Sequence, residues 1–135
     1  MKNTLLTSLF LLVGLAMQAQ DEIIIDGKVT NVKDGLIVSL FRRDGRVGST
    51  IATDTIENGK FYFNVKPEKE LDKLSLFVHS TDFPSMSREV YATPNAYIQV
   101  NGKDNLIYTW EVESNVKEQK ESDRYLYAAK DLWIE

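Results

Sequence analysis

The 135-residue chain has no cysteine, a single histidine and three prolines. Without cysteine it can form no disulfide and carry no lipid at a lipoprotein cleavage point, so a folded domain must be stable on its own hydrophobic core. The lone histidine, His79, falls short of the three or four His, Cys or carboxylate ligands that zinc takes. Basic residues are outnumbered, 16 against 20 acidic, for a formal charge of −4. That balance argues against nucleic acid or an anionic membrane surface as a partner, because both require a basic patch. No Gly-x-Ser-x-Gly elbow surrounds any serine, so a Ser-His-Asp hydrolase has no local signature either. No catalytic residue, cofactor or metal is expected from these residue types.

What is present begins with a leader. Lys2 supplies a positive start, Leu5 to Leu15 an apolar run, and Ala16-Met17-Gln18-Ala19 a small-residue end, which together predict a signal peptide over residues 1–19. The apolar run is shorter than the ~20 residues needed to span a bilayer and is followed at once by Gln20-Asp21-Glu22, so no stable membrane anchor is expected after cleavage. Removal takes one lysine with it and moves the formal charge from −4 to −5. The remaining 116 residues are one domain of ordinary size. Hydrophobic residues make up 43% of the chain, enough to build a core and to exclude disorder.

Outside the leader, five of six glycines follow Asp or Asn: Asp26-Gly27, Asp34-Gly35, Asp44-Gly45, Asn58-Gly59 and Asn101-Gly102. Such pairs favour tight turns, because glycine adopts positive φ without penalty and Asx side chains tolerate it. They separate short alternating runs rich in Val, Ile, Phe, Tyr and Thr, which predict about eight antiparallel strands in a sandwich or small barrel over residues 20–114. In the first, Glu22 to Thr30, Gly27 is expected to form a bulge. Leu36 to Arg42 is apolar on both faces and is expected to be central. At Asn58-Gly59 a bulged turn is preferred over a two-residue one, since the latter would place Asp54 on the buried Phe63 face. Tyr108, Trp110 and Val112 alternate as a last strand.

Beyond Ser114 no Gly or Pro occurs, and Asn115 with Glu118 reads as a capping box, so residues 115–135 are expected to form an amphipathic helix. Its apolar stripe, Tyr125, Leu126, Ala129, Leu132 and Trp133, falls in the second half and is the candidate interaction surface. The charged first half, Lys117 to Arg124, is expected to hold the helix only weakly against a sheet.

Thr53-Asp54-Thr55-Ile56, Gly59-Lys60-Phe61-Tyr62-Phe63, the run from Val90-Tyr91-Ala92-Thr93-Pro94-Asn95 through Gly102, and Ile25-Asp26-Gly27-Lys28-Val29 behind a leader resemble a known pattern. It is that of the exported domain of unknown function found N-terminal to thioredoxin-like (AhpC/TSA-type) domains in Gram-negative bacteria. The resemblance covers nearly all of the mature chain. Asn95 stands where that family usually has glycine, a tolerable exchange at a turn. The resemblance implies a small β-sandwich with a helical connector to a redox domain, located in the periplasm or cell envelope. A Cys-x-x-Cys domain is not part of this sequence, so thiol chemistry is carried over to none of its residues. The same motifs also resemble carboxypeptidase regulatory-like, transthyretin-type sandwiches.

The expected function is therefore a non-catalytic exported binding or positioning module. Its partner would be another protein or the redox domain that the resemblance implies, with weak homo-oligomerisation a further expectation. The alternative is a glycan- or peptide-binding sandwich, suggested by the aromatic residues Tyr91, Tyr97, Tyr108, Trp110, Tyr125, Tyr127 and Trp133. Whether such rings line an exposed groove or sit in the core separates the two. Asp44, Asp54, Glu57 and Asn58 carry loop oxygens of the kind calcium takes, but their spacing matches no EF-hand loop.

Overall fold

A computed structural model describes residues 21–133, with side chains as far as residue 129. The leader and the side chains of Leu132 and Trp133 lie outside the described residues. The described residues build eight strands: β1 (Ile23–Val29), β2 (Ile37–Asp44), β3 (Val47–Thr55), β4 (Lys60–Val65), β5 (Asp72–His79), β6 (Arg88–Ala92), β7 (Tyr97–Gly102) and β8 (Glu111–Glu113). A helix, α1 (Lys117–Trp133), follows. The strands form two four-stranded sheets, ordered β4-β1-β7-β8 and β3-β2-β5-β6, which pack face to face as a sandwich.

Alternation determines which side chains meet between the sheets. Ile23, Ile25 and Val29 of β1 with Phe61 and Phe63 of β4, on one sheet, face Val38 and Leu40 of β2 and Leu74, Leu76 and Val78 of β5 on the other across one buried cluster. Trp110 is fully buried there, stacked near Phe61 and edge-on to Phe83. Burying such side chains contributes about 1.5–3 kcal/mol each, which is how a cysteine-free domain of this size holds together. As the two apolar faces of β2 suggested, it is central, between β3 and β5.

Four local expectations are corrected. Gly27 forms no bulge: β1 runs in unbroken register against β4 and β7, and Gly27 is small because the Phe61 ring occupies the place of its β-carbon. Asn101-Gly102 is the end of β7 rather than a turn, and a β-carbon on Gly102 would lie 2.5 Å from Trp110 Nε1. Tyr108 sits in a short 3-10 turn, Ile107–Thr109, ahead of β8. The sheets are also not wholly antiparallel, since β1 pairs with β7 in parallel.

Asn58 and Gly59 both have positive φ, 53° and 69°, in a two-residue turn closed by reciprocal Glu57–Lys60 backbone bonds, not the expected bulge. The strands then separate into different sheets, so the turn is a corner. Asp54 finds the partner that the bulge was invoked to spare it: its Oδ2 accepts the Tyr62 N–H at 2.8 Å and its Oδ1 the Thr55 N–H at 2.9 Å. The carboxylate thus bridges β3 and β4 where the backbone ladder opens. The capping box is replaced as well. The Ser114 hydroxyl accepts the Val116 N–H, and α1 begins at Lys117.

Candidate functional site

Two arginines point inward because strand alternation leaves them no choice, and each is matched by a buried carboxylate. Arg42, following Val38 and Leu40 on β2, pairs with Asp72 at 3.1 Å and donates to Lys66 O at 2.7 Å. Asp72 also accepts the Glu68 N–H, so this pair fastens the connector between β4 and β5. Arg88, in line with Val90 and Ala92 on β6, holds the helix. Its Nη2 donates to Asp123 Oδ1 at 2.7 Å and its Nε to Trp110 O at 2.7 Å.

Gln119 completes that clamp. Its side-chain oxygen accepts the Tyr91 N–H at 2.8 Å, and its Nε2 donates to Glu89 O at 3.3 Å and to Asp123 Oδ1 at 3.0 Å. A strand paired to β6 would offer one carbonyl and one N–H at those positions, and the Gln119 amide supplies both. The free edge is thereby closed by a side chain. Every buried side-chain polar atom among the described residues has a partner. Tyr127, one turn beyond Asp123, has its phenol raised above the ordinary value of 10.0 by burial, with the Asp123 carboxylate adding to the shift.

The helix therefore docks through the half expected to be held weakly. Val116, Gln119 and Asp123 are buried, whereas Tyr125 is 78% exposed. Of the expected interaction stripe, Leu126 and Ala129 are half-buried. The stripe is not one docked face, and Tyr125 projects to solvent from a helix fixed on its other side. The inward alternation of Arg88 with Val90 and Ala92 was the available signal that a carboxylate lay elsewhere in the chain.

Aromatic residues divide between core and surface. On the outer face of the β4-β1-β7-β8 sheet, Tyr62 and Tyr97 are 51% and 53% exposed, and Asp26 of β1 stands in register with Tyr62. Tyr97 stands opposite Ile24, yet its hydroxyl donates to Asp26 Oδ2 at 2.9 Å, two residues along β1, so the ring leans along the sheet. That bond to a carboxylate is the first cause of the Tyr97 phenol lying above its ordinary value of 10.0. On the outer face of the other sheet, Phe41, Phe77 and Met86 line an open groove of about 400 Å³ with Arg43, Arg46 and Ser75. Arg43 and Arg46 make no ion pair among the described residues. The composition gave no sign of this groove, because its two phenylalanines read as a second apolar face of central strands.

His79 is exposed at the end of β5, 2.6 Å from Ser39 Oγ and edge-on to Phe77. Asp44 pairs with Lys69 at a hairpin tip, while Asp54 is engaged at the corner. No cluster of three metal-ligating side chains occurs among the described residues. No helix among them is long and apolar enough to cross a membrane. Comparison of the chain with protein-family models, curated proteins and solved structures finds no match.

Proposed function

We propose that the protein is a non-catalytic binding or positioning module, exported to the periplasm or cell envelope, that presents a rigidly held helix to a protein partner. The observation that carries this reading is the clamp of Arg88, Asp123 and Gln119, which fixes the direction of α1 while Tyr125 faces solvent. A helix held by buried, geometrically demanding bonds keeps one orientation relative to the sandwich, which suits a connector or docking element. The resemblance to the accessory domain of envelope thioredoxin-like proteins supports the same role.

The test is photo-crosslinking from a benzoyl-phenylalanine placed at position 125, in cells exporting the protein. A discrete protein adduct that weakens when Arg88→Ala frees the helix is expected. Absence of any adduct, or one indifferent to Arg88→Ala, overturns the reading. Export is tested separately by mass spectrometry, which should find a chain starting at or near Gln20. An intact Met1 form retained in membranes would contradict it.

A second reading, a glycan-binding sandwich, is favoured by the exposed pair Tyr62 and Tyr97 flanking Asp26. The Tyr97 ring, leaning along the sheet, and the exposed Tyr62 offer apolar surface for sugar stacking beside hydrogen-bonding groups. Retardation in affinity gels containing soluble polysaccharide, lost in Tyr62→Ala and Tyr97→Ala, would establish it; unretarded migration would remove it.

A further inference from the structure

Of the four sheet edges, three are closed. The β6 edge is capped by the Gln119 amide. β8 has only three residues, two of them glutamates. β4 is tied to the corner at Lys60, is capped by Asp54 at Tyr62 and runs out toward Pro67. The fourth edge, β3, is nine residues long, and its single charge, Asp54, is turned to that corner. It contains neither lysine nor proline, the residues that commonly blunt an edge. A register shift between Leu40 and Phe41 places Ile51 as an extra residue and bends the strand there, which leaves Val47–Thr50 as the regular open stretch. Val47 in that stretch is 74% exposed.

The open stretch adjoins the groove of Phe41, Phe77 and Met86 through one residue, Gly48, which lines it opposite Arg43. Without a side chain at Gly48, a strand laid beside β3 has access across it to the groove. The unpaired Arg43 and Arg46 at the same end give the groove a positive margin in a protein of net negative charge. A second copy pairing through the same edge would bring its own Arg43 and Arg46 against this margin, which disfavours that occupant, whereas an acidic segment is attracted.

We propose that β3 is an acceptor edge for an extended peptide segment of a protein partner. The segment pairs along Val47–Thr50, lays an apolar side chain over Gly48 toward Phe41 and Phe77, and places acidic residues two positions away on the same face against Arg43 and Arg46. Main-chain pairing supplies attraction, and the side chains that alternate onto the groove supply selectivity. The proposal rests on the binding-module reading but uses a surface distinct from Tyr125.

The probe is the end-blocked heptapeptide Thr-Glu-Thr-Leu-Thr-Glu-Thr, titrated into the nitrogen-15-labelled protein. Saturable amide shifts confined to β3, Arg43 and the groove are expected, weakened at least about tenfold when lysines replace the glutamates. Gly48→Val is a clean block: the added β-carbon would lie 3.5 Å from Arg42 O and 3.7 Å from Arg43 Cγ, ordinary contact distances. That variant should keep its unfolding midpoint and bind at least about tenfold more weakly. The exposed pair Arg43→Glu with Arg46→Glu should abolish binding without touching the edge and serves if Gly48→Val folds poorly. Shifts at β6, β8 or α1, equal binding of the lysine peptide, or unchanged binding by Gly48→Val would overturn the proposal. So would β3 shifts that depend on protein concentration alone, which would give the edge to a second copy. A Tyr125 adduct without β3 shifts would sink this inference and leave the positioning role standing.

Discussion

Gly59 and Gly45 both follow an Asx residue and both sit at positive φ, +69° and +62°, but their surroundings differ. A β-carbon at Gly59 would lie 2.5 Å from Val29 O, whereas nothing lies within 4 Å of one at Gly45. Gly59→Val is therefore expected to cost at least about 1–3 kcal/mol, and Gly45→Asn less than about 1 kcal/mol. Chemical denaturation midpoints of the two variants check this, and equal losses would mean that φ alone sets the cost. The Asx-Gly pairs were legible as turns at Gly35, Gly45 and Gly59, which have positive φ. At Gly27 and Gly102 the same dipeptide serves another need, room for the rings of Phe61 and Trp110, and no local pattern distinguishes the two. Tyr97 offers a second test at this scale. Its phenol is raised above 10.0, first by the bond to Asp26, so the folded state favours the protonated form. Any stability from that bond is present below the ordinary tyrosine value and is lost as pH rises through the higher folded value. Ultraviolet titration of wild type against Tyr97→Phe should place this phenol above 10.0, and Asp26→Asn should bring it down. A midpoint unmoved by Asp26→Asn would contradict the assignment.

At the scale of elements, strands were readable because alternation is a local property, and the helix because no Gly or Pro occurs beyond Ser114. How the helix attaches was not readable. Hydrophobic periodicity points to Tyr125 and its neighbours, while the docking face is carried by Gln119 and Asp123, polar residues whose partners Tyr91, Glu89 and Arg88 lie about 30 positions earlier. A charged segment can be the better-held half when a strand offers it unpaired backbone groups and a buried guanidinium. Gln119→Ala should speed hydrogen exchange at the Tyr91 amide while that of Leu76, inside the neighbouring strand, stays protected. Arg88→Ala leaves Asp123 without its cation and should cost about 3–5 kcal/mol, whereas the double variant Arg88→Met with Asp123→Leu should recover much of that loss. If the double variant were as unstable as the single one, packing rather than charge pairing would be holding α1.

For the whole molecule, the decisive pairings are the non-local ones. β1 lies between β4 and β7, and the clamp joins β6, the residue before β8 and α1, so the C-terminal helix closes a sandwich begun about a hundred residues earlier. Sequence patterns give faces and periods, but neither strand order nor the parallel β1–β7 pair follows from them, because many orders bury the same faces equally well. The clamp nonetheless predicts how much of the C-terminal segment the sandwich needs. A chain ending at Arg124 keeps Gln119 and Asp123 on a helix of about eight residues, too short to be stable alone and dependent on those contacts. A chain ending at Asn115 loses both, leaves Arg88 with backbone partners only and uncovers the β6 edge. The first should unfold within about 1 kcal/mol of the full chain by urea denaturation, because it removes the exposed Tyr125 and the partly exposed Tyr127 but keeps the Arg88, Gln119 and Asp123 side chains. The second should lose about 3–5 kcal/mol and associate in sedimentation velocity, since an uncapped strand edge pairs with the next available backbone. If both truncations unfolded alike and stayed monomeric, the Gln119 cap would be a passive contact, and the sandwich would owe its integrity to the core around Trp110 alone.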